Sequence, residues 1–120
     1  MNKFLEYDNN IPIYLQVIDR IKKDMIQGLL PMGEKLPSTR ELALQYNINP
    51  NTAARIYKEM EQQKMCFTKR GLGTFVTENP EVFNAIREDM ARKRLDSFIS
   101  EMKELGYTKD ELIEAISQNF

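Results

Sequence analysis

Apolar residues recur along the first half of the chain at steps of three and four. Tyr14, Val17, Ile18, Ile21 and Met25 share one side of a helix, while Arg20, Lys22, Lys23 and Asp24 mostly take the other. Pro12 suits the first turn, where its missing N–H costs nothing, and Gly28 marks the end. Residues 1–10 read as a loosely held arm before this helix. The stretch from Leu29 to Pro37 holds Pro31, Gly33 and Pro37 and reads as a loop. Ser38-Thr39-Arg40-Glu41 is a capping box, in which Ser38 accepts from a free N–H of the first turn and Glu41 reaches back. A short second helix continues through Leu42, Ala43 and Tyr46 until Asn47-Ile48-Asn49-Pro50 interrupts it. Asn49 then caps a third helix and Pro50 opens it. Its apolar stripe is Ala53, Ile56, Tyr57 and Met60, with Asn51, Thr52, Arg55 and Lys58 largely off it.

The period then changes. Met65-Cys66-Phe67-Thr68-Lys69 and Thr74-Phe75-Val76-Thr77 are short runs rich in β-branched and aromatic residues, separated by Arg70-Gly71-Leu72-Gly73. That pattern predicts a β-hairpin. Asn79-Pro80 punctuates again. Phe83, Ile86 and Met90, followed by Leu95, Phe98, Ile99, Met102 and Leu105, predict one long amphipathic helix that Gly106 stops. A second capping box, Thr108-Lys109-Asp110-Glu111, opens a short final helix with Leu112, Ile113 and Ile116 inside. The fold class is therefore mainly α with a small β-hairpin.

Composition narrows the chemistry. The 120 residues contain no His, which excludes His-based acid–base catalysis and His-ligated metals. The single Cys66 forms neither an intrachain disulfide nor a cysteine cluster, and it fits a reducing cytoplasm. No phosphate-binding loop or nucleophile–base pair is present, so neither an enzyme nor a cofactor is expected. No apolar run reaches the roughly 18–20 residues that cross a bilayer, and the first residues lack the apolar core of a signal peptide. The expectation is a cytoplasmic protein without a membrane partner. Charge is uneven beneath a net of −1. Residues 12–77 hold ten Lys/Arg against six Asp/Glu, a net of +4, and residues 78–120 hold six against ten, a net of −4. A basic middle and an acidic tail suggest regions with different partners.

A short helix joined by about four residues to the next is the helix-turn-helix arrangement, and a following hairpin makes it the winged form. In that arrangement the third helix enters the major groove with its N-terminal end nearest the bases. Asn49, Asn51, Thr52 and Arg55 stand at that end, and Asn can bond bidentately to adenine. Main-chain N–H groups at Ser38, Thr39 and the start of the third helix can meet phosphates. Arg40, Lys58, Lys69 and Arg70 add positive charge. Capping alone accounts for Ser38, Glu41 and Asn49, and a solvated face would account for Arg55 and Lys58. Arg40 is different, since the positive end of a helix dipole disfavours a cation in the first turn. Gly71 serves the turn, and a basic residue beside it suits the minor groove.

These residues carry a family resemblance. Gly33-Glu34-Lys35-Leu36-Pro37-Ser38-Thr39-Arg40-Glu41-Leu42-Ala43, Asn49-Pro50-Asn51-Thr52-Ala53-Ala54-Arg55 and Arg70-Gly71-Leu72-Gly73-Thr74-Phe75-Val76 resemble the GntR family of bacterial winged-helix transcription regulators. The short tail resembles the YtrA-like branch, in which two C-terminal helices serve dimerisation. The resemblance implies that Arg40 contacts DNA, that Thr52 touches phosphate or base, and that Arg70 and Gly71 enter the minor groove. One departure stands out: many members place an arginine two residues after that threonine, where this chain has Ala54 and then Arg55.

The expected organisation is an N-terminal arm over 1–11, a winged helix-turn-helix DNA-binding domain over 12–77 and a helical dimerisation region over 78–120. A helix from Pro80 to Leu105 would span roughly 39 Å at 1.5 Å per residue, long for so small a domain to cover. Its stripe of Phe83, Ile86, Met90, Leu95, Phe98, Ile99 and Met102, with Leu112 and Ile116 beyond, asks for a second copy of the chain. The expected function is a dimeric repressor on a pseudo-palindromic site in double-stranded DNA. The alternative is a winged-helix protein-interaction module that does not bind DNA. The tail leaves little room for a small-molecule effector pocket of the usual size, about 300 Å³ or more.

Overall fold

A computed structural model of the chain describes residues 6–120. Helix α1 spans Ile13–Ile26, α2 Thr39–Tyr46 and α3 Pro50–Gln62. Strands β1 (Cys66–Lys69) and β2 (Gly73–Val76) follow, then α4 (Pro80–Glu104) and α5 (Lys109–Asn119). The chain forms two compact units, one ending at Ile86 and one running Arg87–Phe120, with α4 contributing to both.

Local chemistry explains the helix boundaries. Both capping boxes form: Ser38 Oγ accepts from Glu41 N at 3.1 Å, and Thr108 Oγ1 from Glu111 N at 3.2 Å. Asn49 Oδ1 accepts from Asn51 N at 2.8 Å, and Pro50 takes the first helical position of α3. Asn47 ends α2 in the left-handed conformation, which Asn tolerates better than most residues. Pro12 sits just outside α1 as its N-cap, one position earlier than expected.

In the first unit α3 is the hub, packing against α1, α2 and β1. Val17, Ile21, Met25, Leu42, Ala53, Ile56, Met60, Met65 and Val76 are buried there. Burying one such large aliphatic side chain contributes about 1.5–3 kcal/mol. The hairpin pairs antiparallel with Cys66 opposite Val76 and Lys69 opposite Gly73, and the Phe67 and Phe75 rings stack at 5.9 Å.

Four further expectations change. The loop over 29–37 is not wholly irregular, because its second half pairs with the free edge of β2. Leu36 N donates to the Thr74 carbonyl at 2.8 Å, Val76 N to the Glu34 carbonyl at 2.8 Å, and Gly33 N to the Val76 carbonyl at 3.0 Å. The wing thus has a third, very short strand-like edge, centred on a bridge between Lys35 and Phe75. Of the arm, residues 1–5 lie outside the described residues, but the rest is tied down. Tyr7 Oη donates to the Tyr46 carbonyl at 2.6 Å, and Gln16 Nε2 donates to the carbonyls of Asp8 and Ile11 at 2.8 Å each.

The third change is Asp24, which is buried at 1% exposure rather than facing water; Arg20 Nε pairs with its carboxylate at 3.3 Å. The fourth concerns α4, whose apolar residues do not form one stripe. Twelve steps of 100° separate Ile86 from Phe98, which leaves about 120° beyond full turns. Phe83, Ile86 and Met90 therefore share one face, and Leu95, Phe98, Ile99 and Met102 another. Ile86 and Leu112 are buried within the chain and offer almost no surface to a partner. Phe83, Met90, Ile99 and Met102 are half-buried, while Leu95, Phe98 and Ile116 are exposed. In the second unit, Ile113, Tyr107, Leu105 and Phe120 are exposed as well.

Candidate nucleic-acid interface

The outer face of α3 is set by its buried one. Ala53, Ile56, Tyr57 and Met60 turn inward, so Asn51, Arg55 and Lys58 fall on a single stripe opposite, at steps of four and three. All three are exposed, and Thr52 at the edge of the stripe is half-buried. Asn49 is exposed at the helix start, its side chain engaged in capping.

The second helix brings its own first turn to the surface. Ser38 and Arg40 are exposed and Thr39 is half-buried. Glu41 is anchored here, since its Oε1 accepts from Ser38 N at 2.9 Å. Donation from the Ser38 backbone N–H, with the Ser38 hydroxyl beside it, holds the Glu41 carboxyl below the usual carboxylate range. The start of α2 is joined to α3 by Tyr57, whose hydroxyl donates to the Pro37 carbonyl at 2.5 Å. Burial pushes the Tyr57 phenol well above its ordinary value.

At the wing, Lys69, Arg70, Gly71 and Leu72 are exposed. The Lys69 ammonium lies 5.0 Å from the Phe75 ring centroid and 5.7 Å from that of Phe67, so the stacked aromatics steer it. Gly71 adopts φ +78° and Gly73 φ +122°, conformations that L side chains rarely take. Gly73 also faces Lys35, whose Cε would stand 2.8 Å from an added Cβ.

Arg55 is not loose in solvent. Its guanidinium carbon sits 3.8 Å from the centroid of the Tyr14 ring on α1. Reading Tyr14 as a stripe residue gave no hint of this contact, because the ring is half-buried and shows its face to α3. Lys35 was likewise missed as a wing residue, its pairing being non-local.

A family model for bacterial regulatory proteins of the gntR family matches residues 13–76, the span that contains α1, α2, α3 and the hairpin. The chain belongs to the GntR family. Among similar GntR-type relatives is the HTH-type transcriptional regulator YhcF of Bacillus subtilis, 42% identical over 111 residues and covering 92% of each chain. The HTH-type transcriptional repressor YtrA of Bacillus subtilis is 44% identical over 71 residues, 59% of this chain and 55% of YtrA. A solved GntR family transcriptional regulator from Listeria monocytogenes superposes with a TM-score of 0.85 at 35% identity, covering 93% of this chain and 98% of that one. This GntR protein is thus a DNA-binding transcriptional regulator with the winged-helix fold, not an enzyme. Among the described residues, no helix is long and apolar enough to cross a membrane.

Proposed function

We propose that this GntR-family chain is a homodimeric repressor that binds a pseudo-palindromic operator in the cytoplasm. The observation that carries the reading is the exposed stripe Asn51–Arg55–Lys58 on α3, backed by a fully buried opposite face. In a major groove this stripe would meet base edges and flanking phosphates. Asn49 and Thr52 would contact the backbone beside it, with Ser38, Thr39 and Arg40 gripping the adjoining phosphates. Lys69, Arg70 and Gly71 would bring the wing to the minor groove. The net +4 of residues 12–77 supports the assignment of that span as the DNA-binding domain, with 1–11 as its arm.

Residues 78–120 would form the dimerisation region. Leu95, Phe98, Ile113 and Ile116 remain exposed in the second unit, an apolar set that a twofold partner would cover. Phe83, Met90, Ile99 and Met102 would contribute their remaining open surface. A dimer presents two reading helices to half-sites about one helical turn apart. Repression is favoured because YtrA is named a transcriptional repressor.

Selection of bound duplexes from fragmented genomic DNA, combined with sedimentation at micromolar protein, tests both parts. The expected result is an inverted-repeat motif recovered by a species of twice the chain mass. Monomeric sedimentation, or recovery of an unpaired motif, would remove the dimer. Recovery of no enriched duplex in dilute buffer would remove sequence-specific binding.

A further inference from the structure

We infer that Tyr14 is a positioning residue for DNA recognition, acting through Arg55. The inference deepens the proposed function and rests on its assignment of α3 as the reading helix. Tyr14 stands on α1, a helix given no DNA contact of its own, yet its ring holds the Arg55 guanidinium at 3.8 Å. A free arginine side chain samples many rotamers, and each ordered contact it makes with DNA is weakened by the entropy lost in freezing it. A guanidinium resting on an aromatic face has part of that ordering done before DNA arrives. Stacking leaves the N–H groups at the rim of the guanidinium plane free to donate, because the ring engages only the face.

The position matters as much as the contact. One residue earlier, at Ala54, an arginine would emerge about 100° further round the helix. Arg55 instead lies between Asn51 and Lys58 on the outward stripe, with α1 packed against α3 along one side. Tyr14 therefore supplies the support that a displaced arginine needs, and the two residues form one recognition unit drawn from two helices. The stack gives the fork a fixed height above α3, which favours one base step over its neighbours.

The test uses the full chain with Tyr14→Phe, Tyr14→Leu, Arg55→Ala, Arg55→Lys and the Tyr14→Leu/Arg55→Ala double variant. Binding is measured by fluorescence anisotropy to the duplex selected by the wild-type protein and to sonicated bulk DNA, alongside thermal melts. Tyr14→Leu is expected to lower the ratio of selected-duplex to bulk affinity roughly two- to fivefold, the range of an exposed cation–π contact. Tyr14→Phe keeps the ratio, and the double variant is no worse than Arg55→Ala. Arg55→Lys, a surface change that keeps the charge but not the planar fork, lowers the ratio as Tyr14→Leu does. The inference is overturned if Tyr14→Leu or Arg55→Lys leaves the ratio unchanged, or if the Tyr14 and Arg55 effects simply add. A lower melting temperature with an unchanged ratio would make Tyr14 only a staple between helices. Failure of the wild-type protein to prefer any duplex would instead refute the DNA-reading assignment itself.

Discussion

Two buried tyrosines make opposite predictions for the same chemical change. Tyr57→Phe removes a hydroxyl that donates to the Pro37 carbonyl at 2.5 Å. Tyr46→Phe removes a hydroxyl that is buried and has no hydrogen-bond partner among the described residues. Each substitution deletes one oxygen from a side chain at most 9% exposed, so the lost volume is equal and the difference is electrostatic. Breaking a neutral hydrogen bond costs about 1 kcal/mol, and Pro37 is only half-buried, so water partly replaces the lost donor. A buried unsatisfied hydroxyl carries a penalty of about 1–3 kcal/mol that its removal relieves. Burial, with the Asp24 carboxylate nearby, pushes the Tyr46 phenol far above its ordinary value, so the group removed is the neutral hydroxyl. Tyr57→Phe is therefore destabilised by about 1 kcal/mol and Tyr46→Phe stabilised by about the same. At about 4 °C per kcal/mol for a chain of this size, the two melting temperatures separate by about 8 °C around the wild-type value. Far-UV circular dichroism during heating and in urea reads both. Equal destabilisation by the two substitutions would refute the reasoning, since it would mean that the Tyr46 hydroxyl is satisfied.

Three further outcomes follow from the same geometry. Arg40→Ala should weaken binding to selected and bulk duplexes alike and reduce the slope of log affinity against log salt by about one, because a phosphate contact releases a counterion; titrations from 50 to 200 mM salt check this. Gly73→Ala should cost about 1–3 kcal/mol through its φ of +122°, whereas Gly71→Asn should cost less because Asn tolerates φ near +78°; chemical denaturation separates them. The Cys66 thiol is buried, lies 3.9 Å from the Tyr57 carbonyl and has its pKa pushed up to about 12 by burial. It should resist iodoacetamide at pH 8 in the folded protein and react on unfolding. Because its folded value exceeds the ordinary thiol value, its contribution to stability is intact below about pH 9 and falls as pH rises towards 12.

Helix ends were legible because caps are local. Ser38 with Glu41, Thr108 with Glu111, and Asn49 with Pro50 each act within four residues, so the pattern and the structure coincide. The inward faces of α1 and α3 were legible for the same reason of period. What escaped is non-local. The pairing of Glu34 and Leu36 with β2 depends on residues some forty positions away, and Pro31, Gly33 and Pro37 hide it behind loop chemistry. Asp24 lies at the edge of the α1 stripe, and its burial comes from what covers that edge rather than from its own hydrophobicity. The stack of Arg55 on Tyr14 joins two helices that no short-range rule relates. The two faces of α4 were legible in principle by counting turns, but a run of apolar residues at steps of three, four and five looks continuous until the angles are summed.

The seam at residues 33–38 has a mechanical consequence. Gly33, Glu34 and Leu36 are laced to the wing, Pro37 is held by Tyr57 of α3, and Ser38 caps α2. Six consecutive residues thus fasten the hairpin and both helices of the reading motif to one another. In the proposed DNA complex such a molecule would work as a calliper, with one point for each groove. Duplexes whose groove spacing departs from that gauge would then have to yield, so stiffness at base pairs never touched by a side chain would enter the affinity.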